Sequence, residues 1–529
     1  MLAAICAFAN LFYQDLHTNL EGTWAEQDLK GVSIGVLVKE IGGEVLYTKN
    51  PDTPVVPASL VKLATAIIVL EVLGPDYAPV TCAWREGDTV YLWGGGDPGV
   101  TVQDLLSLAE VLRVEPTDKV VFDDSLFGVF SRPSTWESSD LPYGYAAPIH
   151  SLTVNGGKVE LWVEGTRAYL MPRNFGLRVI GHLQGGSLKI TVEGRQRVWT
   201  VKVPGGAGSA EPKKVATLSL PDPALCAGRV FHPQARRGRV PSPPQEILFS
   251  SAPLGISQTI DKQGRVLVCL RRRTVAQLLK TMFEQSDNVY AETLFRLATL
   301  KMGGAQSWED SVRVASEVLC SVGLKRGAFT LADGSGLSRK NRLTPRAVVH
   351  LLERGILSPY SHVFLDGLAE PGEGTMKERL LGIPVASKTG TLSGVSCLAG
   401  VIWGAVPALE GPGRWEMRGF TGLSSCSVFY GSGFCVFSYP VLLGIGNGLI
   451  GRSFNPSRPS DFSLPDTHCL QIPLLVGPKG LLFCIVMAST RVPAKRLREV
   501  QDAIVVQLYQ HIRARNSLPD AREVLGAIP

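Results

Sequence analysis

Between about residue 80 and residue 255 the chain changes texture, and that change limits its folds more than any other feature. Helical patterns stand on either side. One runs from Ser59 to about Leu73 and stops at Gly74-Pro75; another begins at Thr274 (TVAQLLKTMFEQ), breaks at SDN, and resumes as VYAETLFRLATLKM before Gly303-Gly304. The section between them is a series of short segments, TVYLW, KVVFDD, KVELWV, SLKITV and VWTVKV, cut apart by glycine and proline. Such runs read as strands, whereas apolar spacing of three and four reads as helix. A chain of 529 residues is also too long for one ordinary core, so a β-rich body interrupting a helical one is expected.

Strand patterns also flank this body. VSIGVLVK (32–39) faces EVLYT (44–48) across Gly42-Gly43, and VASKTGTL faces VSCLAGVIW across Ser393-Gly394. Further helix is expected at 308–322 and 345–354, and GLLFCIVMAS leads into a helix from about Ala494 to Arg513. The expected class is α/β (α+β): a main domain in parts at 20–80, 256–403 and 476–515, inserted β-rich domain or domains at 81–255, and an atypical insertion at 404–475.

Composition excludes several classes. With 45% hydrophobic and 19% charged residues the chain is globular, and its charge of +6 is small for its length. Basic residues gather only briefly, at Arg271-Arg272-Arg273, which reads as a solvated loop or helix start, so no nucleic-acid partner is expected. The ten cysteines show no C-x-x-C and several sit in apolar runs, so buried free thiols are expected in place of a disulfide framework. The histidines form no H-E-x-x-H or other close pair; neither a metal nor an organic cofactor is expected. MLAAICAFAN ends in Ala7-Phe8-Ala9 without a basic region before it, and reads as a weak or truncated export signal.

Three short motifs carry the chemistry. Ser59 and Lys62 stand at i and i+3, so on one helix face a neutral lysine could take the proton of the hydroxyl. A helix start there would also favour a developing oxyanion. Serine is an equally good helix cap, so this pair alone decides nothing. Ser286-Asp287-Asn288 falls at the break between two helices, where a loop can present a hydroxyl and an amide to a cleft or simply connect the helices. Lys388-Thr389-Gly390 lies on a strand along which a peptide could pair, and Gly390 would let it approach the backbone closely.

S-x-x-K, S-D-N and K-T-G form the set found in class A β-lactamases and penicillin-binding proteins. With GGGDP (94–98), YGYAAPIHSLTVN (143–155), DGSGLSRKNRLTP (333–345), PGEGTMKERL (371–380) and SKTGTLSGVSCLAG (387–400), the chain resembles the D-alanyl-D-alanine carboxypeptidases and endopeptidases of the penicillin-binding protein 4 type, peptidase family S13. The resemblance covers most of 30–402 and resumes at about 477–512. It implies a penicillin-recognising transpeptidase-like domain, an antiparallel sheet with helices, interrupted between Lys62 and Ser286 by inserted domains.

It further implies a serine-type D-Ala-D-Ala carboxypeptidase, or DD-endopeptidase, that cleaves peptidoglycan stem peptides outside the cytoplasmic membrane, in the periplasm or its equivalent. Ser59 would attack the carbonyl and Lys62 would be its general base. Ser286 would relay a proton to the leaving amine, and Asn288 would hold Lys62 and the substrate amide. Lys388 and Thr389 would bind the terminal carboxylate, and the N–H groups of Ser59 and Thr391 would form the oxyanion hole. β-Lactams would acylate Ser59 and inhibit. Asp140, near Trp136, is the candidate for a free amine of the stem peptide, although a surface-loop acid is the plainer reading.

Other readings stay open. A protein with this fold that binds the wall without turnover is one, and a serine β-lactamase, differing mainly in how fast its acyl-enzyme hydrolyses, is another. Gly94, Gly96 and Gly99 also match G-x-G-x-x-G after a strand, with Asp123 beyond the next helical run, as in dinucleotide-binding enzymes. Pro98 inside that loop, and the lack of further parallel strands, count against this. Finally, the stretch at 404–475 stands where a short turn is expected; it has no lysine, and 419–451 has no charged residue. It resembles translated non-coding sequence, or else it is a surface or membrane-facing insertion. Repeated glycines and Pro440 argue against a spanning helix, so membrane contact is left open without being indicated.

Overall fold

The computed structural model describes residues 15–27, 29–128, 131–164, 167–172, 189–193, 198–202, 211–241, 243–303, 307–403, 430–431, 434–435 and 480–516. The stretch read as an export signal, and 404–475 apart from four residues, lie outside the described residues. Backbone contacts divide the chain into a main unit, 1–406 with 480–529, and a second unit, 407–479.

The main unit begins with a helix at 15–26 (α1), then β1 (Ser33–Glu40), β2 (Val45–Lys49) and α2 (Val61–Val72). The section of strand texture follows as β3 (Val80–Glu86), β4 (Thr89–Gly95), α3 (Val102–Val111), β5 (Lys119–Asp123), β6 (Lys158–Glu164) and β7 (Arg167–Met171). It continues through β8 (Lys189–Glu193), β9 (Val198–Lys202), β10 (Lys213–Ser219), α4 (Pro223–Phe231), β11 (Arg236–Arg237), α5 (Gln245–Leu248), β12 (Gly255–Ile260) and β13 (Val266–Arg271). Helices then dominate: α6 (Val275–Glu284), α7 (Asn288–Lys301), α8 (Trp308–Ser321), the short strands β14 (Phe329–Thr330) and β15 (Arg342–Leu343), α9 (Pro345–Ile356) and α10 (Ser361–Gly367). The hairpin β16 (Val385–Leu392) and β17 (Val395–Trp403) comes next. In the second unit the described residues form one ribbon, β18 (Tyr430–Gly431) with β19 (Phe434–Cys435). The main unit closes with β20 (Gly480–Ala488) and α11 (Ala494–Asn516).

Five strands make an antiparallel sheet in the order β16-β17-β20-β1-β2. The hairpin expected at Ser393-Gly394 is there, with Leu392 opposite Val395 and Gly394 at φ +74°. Leu16, Leu20 and Trp24 of α1 and Leu497, Ile504 and Leu508 of α11 share a core with Val36, Leu398 and Ile485 of the sheet. Helices α2 and α9 pack from the same main unit, α9 so closely that a side chain on Gly35 would stand 2.9 Å from Pro345. The mixed class and the antiparallel sheet with helices match the expectation.

Helix α2 explains the character of its sequence. Every residue from Val61 to Leu70 is buried, so the run VKLATAIIVL is apolar on all sides. Its one charge, Lys62, is therefore carried into the interior at 0% exposure, where it needs partners or neutrality.

The inserted section builds a second sheet, ordered β11-β5-β4-β3-β13-β12, and a three-stranded one, β10-β6-β7. The six-stranded sheet draws in β12 and β13, which run from residue 255 to residue 271. Three sequence expectations are corrected here. Cys82 and Cys269 are joined by a disulfide between the neighbouring strands β3 and β13; their separation of 187 residues left no local spacing to read. Among the described residues Cys226, Cys397 and Cys484 are buried and outside any disulfide, as expected. Arg271 is not solvated: it is 2% exposed and donates to the carbonyls of Ala78 and Ile247 and to Ser250.

The third correction concerns the glycine loop. β4, α3 and β5 do form a parallel βαβ unit, and β11 adds a third parallel strand. Yet the glycines serve packing within the protein. A side chain on Gly94 would stand 2.4 Å from the Leu152 backbone, and one on Gly96 would meet Phe127 and Leu297 at 2.8 and 2.9 Å. Thr101 and Asp104 close a capping box over the start of α3. The space a pyrophosphate would need is filled by protein, which removes the dinucleotide reading.

Candidate active site

Three elements meet at Ser59. A single 3₁₀ turn at Ala58–Leu60 leads into α2 and places Ser59 and Lys62 on one face. Ala58 has φ +47°, a left-handed conformation unusual for a residue with a side chain. Gly336 fits against it at φ +86°; a side chain there would lie 1.8 Å from the Ala58 oxygen. Gly390 of β16 approaches from the other side, where a Cβ would come within 3.1 Å of the Ser59 nitrogen. Both glycines allow backbone to close on the Ser59 turn.

Lys62 Nζ donates to Asn288 Oδ1 at 2.6 Å and to the Ser335 carbonyl at 2.7 Å, and lies 3.2 Å from Ser59 Oγ. The first two partners can only accept. A neutral amine has two hydrogens and one lone pair, so with both hydrogens committed its lone pair is left for the one neighbour able to donate, the Ser59 hydroxyl. Asn288 is itself oriented, because its Nδ2 donates to the Tyr145 carbonyl at 2.9 Å.

The other motif pair also meets. Lys388 Nζ donates to Ser286 Oγ and to the Thr389 carbonyl, each at 2.8 Å. Ser286 sits in the short connection between α6 and α7 at φ +53°, and Asp287 caps α7 by accepting from the amides of Val289 and Tyr290. Asp287 in turn pairs with Lys158 of β6, tying this connection to the inserted section.

β16 is an edge strand. Ser387 exchanges its outward N–H and C=O with Ala369. Since backbone groups alternate along a strand, Thr389 and Thr391 direct theirs to the same outer side. A peptide lying beside β16 would meet these groups, with Lys388 buried at 0% exposure beneath and Thr391 exposed near the open end.

Burial lowers the Lys62 pKa to about 8, against the raising influence of Glu292, Asp333 and Asp287. Burial and the neighbouring Lys62 hold Lys388 well below the usual lysine range. Burial alone would raise the Asp287 carboxyl, but Lys158 and the two cap amides outweigh it and lower it. The site thus holds an amine that is neutral in part near neutral pH, a hydroxyl against its lone pair, and a second amine and hydroxyl opposite.

Asp140 is not bonded to any of these side chains. It accepts from Tyr145 Oη at 2.9 Å, and Tyr145 links to Asn288 through its backbone. Trp136, with Leu337, Leu141 and Leu392, forms a small apolar cluster close by, and Trp136 donates to Asp333 at 2.9 Å. The sequence motifs did not single out Asp333, Ser335, Tyr145, Lys158 or Glu292; the first two lay within the quoted DGSGLSRKNRLTP phrase and Tyr145 within YGYAAPIHSLTVN, whereas Lys158 and Glu292 lay in neither. Among the described residues no cluster of His, Cys, Asp or Glu could hold a metal ion.

Known proteins are similar to this chain over most of its length. A D-alanyl-D-alanine carboxypeptidase of Actinomadura sp. (strain R39) is 27% identical over 432 residues, covering 74% of this chain and 79% of its own. The crystal structure of penicillin binding protein 4 (dacB) from Haemophilus influenzae superposes with a TM-score of 0.65 at 19% identity, over 93% of this chain and 99% of that one. The same Haemophilus protein complexed with a β-lactam gives 0.61 at 17% identity, with the same coverage of both chains. The D-Ala-D-Ala carboxypeptidase 3 (S13) family model matches residues 16–411, and the chain belongs to that family.

Proposed function

We propose that the chain is a serine-type D-Ala-D-Ala carboxypeptidase that cleaves peptidoglycan stem peptides through an acyl-enzyme on Ser59. The observation that carries this reading is the three-way setting of Lys62, two obligate acceptors and one hydroxyl. The peptide lies along β16 with its terminal carboxylate at Lys388 and Thr389. Its scissile carbonyl oxygen points at the N–H groups of Ser59 and Thr391. Lys62 takes the Ser59 proton as Oγ bonds to the carbonyl carbon. The tetrahedral intermediate then breaks its C–N bond, and D-alanine leaves as an amine that has gained a proton through Ser286. Water attacks the ester, returns the hydrogen to Ser59 and releases the shortened peptide.

A β-lactam ring mimics the dipeptide and gives the same ester, but its leaving group stays attached. Asp140, with Tyr145 beside it, would take a free amine of the stem peptide. The inserted section, ending with β13, would form this side of the cleft. Peptidoglycan lies outside the cytoplasmic membrane, so the enzyme acts there, and a disulfide suits an oxidising compartment such as the periplasm.

The test is an intact-mass time course with benzylpenicillin on the full chain and on Ser59→Ala. A one-to-one adduct absent from the variant is expected. A folded wild-type chain that never forms it would overturn the reading and leave a wall-binding protein without turnover. Parallel assays on a pentapeptide and on a cross-linked dimer then separate carboxypeptidase from endopeptidase action, and rapid hydrolysis of the adduct would instead mark a β-lactamase.

A further inference from the structure

Both carbonyls that hold Lys62 trace back to one face of α7. Asn288 supplies the first directly. One turn later, at i+4, Glu292 is 0% exposed and turns its carboxylate onto backbone amides. Its Oε1 accepts from Ser335 N at 2.8 Å and Gly334 N at 3.1 Å, and its Oε2 accepts from Gly334 N at 3.0 Å. Ser335 carries the second carbonyl on Lys62. The same segment is gripped from α2, where Thr65 Oγ1 donates to the Gly334 carbonyl at 2.5 Å. On its far side Asp333 accepts from the amides of Gly336 and Ser338.

A buried carboxylate is costly unless it is hydrogen-bonded, and nothing about packing requires one here. Glu292 has no basic side chain within ion-pair distance among the described residues. Burial, with Asp333 nearby, raises its pKa to about 8, and the hydrogen bonds from the segment that faces Lys62 act the other way and favour the ionised form.

We propose that Glu292 is a positioning residue for the Ser59 reaction: it fixes the Gly334-Ser335 amides so that the Ser335 carbonyl is aimed at Lys62, and in its ionised form it places a negative charge beside that amine. The proposal rests on the reading of Lys62 as the base for Ser59. Facing Lys62 are Glu292 from α7, Asp333 from its loop, Asp287 from the α6–α7 connection, Lys158 from β6 and Lys388 from β16. Arg296 faces Glu292 along the same helix. An ionised Glu292 favours the ammonium form of Lys62. Removing that charge therefore lets the amine lose its proton at lower pH.

The experiment measures the benzylpenicillin acylation rate against pH for the wild-type chain, Glu292→Gln and Glu292→Asp, with intact mass as readout. In E292Q the ascending limb should move toward acid, by less than about one pH unit because Glu292 is itself partly protonated along that limb. The plateau should fall by about tenfold or more, because an amide nitrogen cannot accept from the loop and the carbonyl is loosened. E292D keeps the charge but draws it back by one methylene, so its limb should stay in place while its plateau falls. A folded E292Q whose limb does not move overturns the proposal, a lowered plateau then reporting lost packing alone. Should E292Q not fold, E292D decides: a wild-type rate overturns the proposal, and a lowered plateau with an unmoved limb supports it. A wild-type chain that is not acylated at all removes the functional reading itself, and this proposal with it.

Discussion

A lysine in the first turn of a helix buried on all sides cannot stay an ordinary ammonium, and the pKa of Lys62, lowered by burial to about 8, gives a direct expectation. Below that value the lone pair is occupied by a proton, so acylation of Ser59 should rise by about tenfold per pH unit and level off above it. Lys62→Arg should lose at least about a hundredfold in rate, since a guanidinium keeps its proton; a single-turnover pH profile checks both. Asp140→Asn should raise KM for a stem peptide with a free amine by about tenfold while leaving penicillin acylation unchanged. At this scale legibility followed locality. Ser59 with Lys62, Ser286 with Asn288, and Lys388 with Thr389 are each neighbours in sequence as well as in space. Glu292 acts on amides of residues 334 and 335, and nothing beside it in sequence marks that role.

Helices and hairpins were readable where a cap or turn announces them. Thr274 forms a capping box with Gln277, and Ser393-Gly394 turns the chain, each as its residue type suggests. Partners brought together only by the sheet were not readable: Cys82 meets Cys269, and Arg271 finds the carbonyls of two separate segments. Replacing both bridged cysteines by alanine should lower stability by about 2–4 kcal/mol, read from denaturant melts, with acylation unchanged. Gly336→Ala should do the opposite kind of damage. Its Cβ would collide with the Ala58 oxygen, so acylation should fall by at least about tenfold in chain that remains folded, checked by intact mass alongside circular dichroism.

At the scale of the whole molecule, Trp403 at the end of β17 lies directly opposite Gly480 at the start of β20. The chain thus returns to the main unit at the place where it left, and a turn of a few residues could join the two strands. Replacing residues 404–479 by such a turn should preserve both melting temperature and penicillin acylation. A loss of either would show that the segment contributes. Cutting the chain before Gly480 should abolish acylation, for β20 is the strand between β17 and β1. That position also orders events in time. During synthesis β1 and β2 emerge early and the β16–β17 hairpin late, yet neither ribbon can join the other until β20 has left the ribosome. A nascent chain therefore stays open, with two raw edges awaiting their common partner, until β20 has been made. Its central sheet forms only once that strand is made, and any product that stops short of it carries exposed edges that invite aggregation.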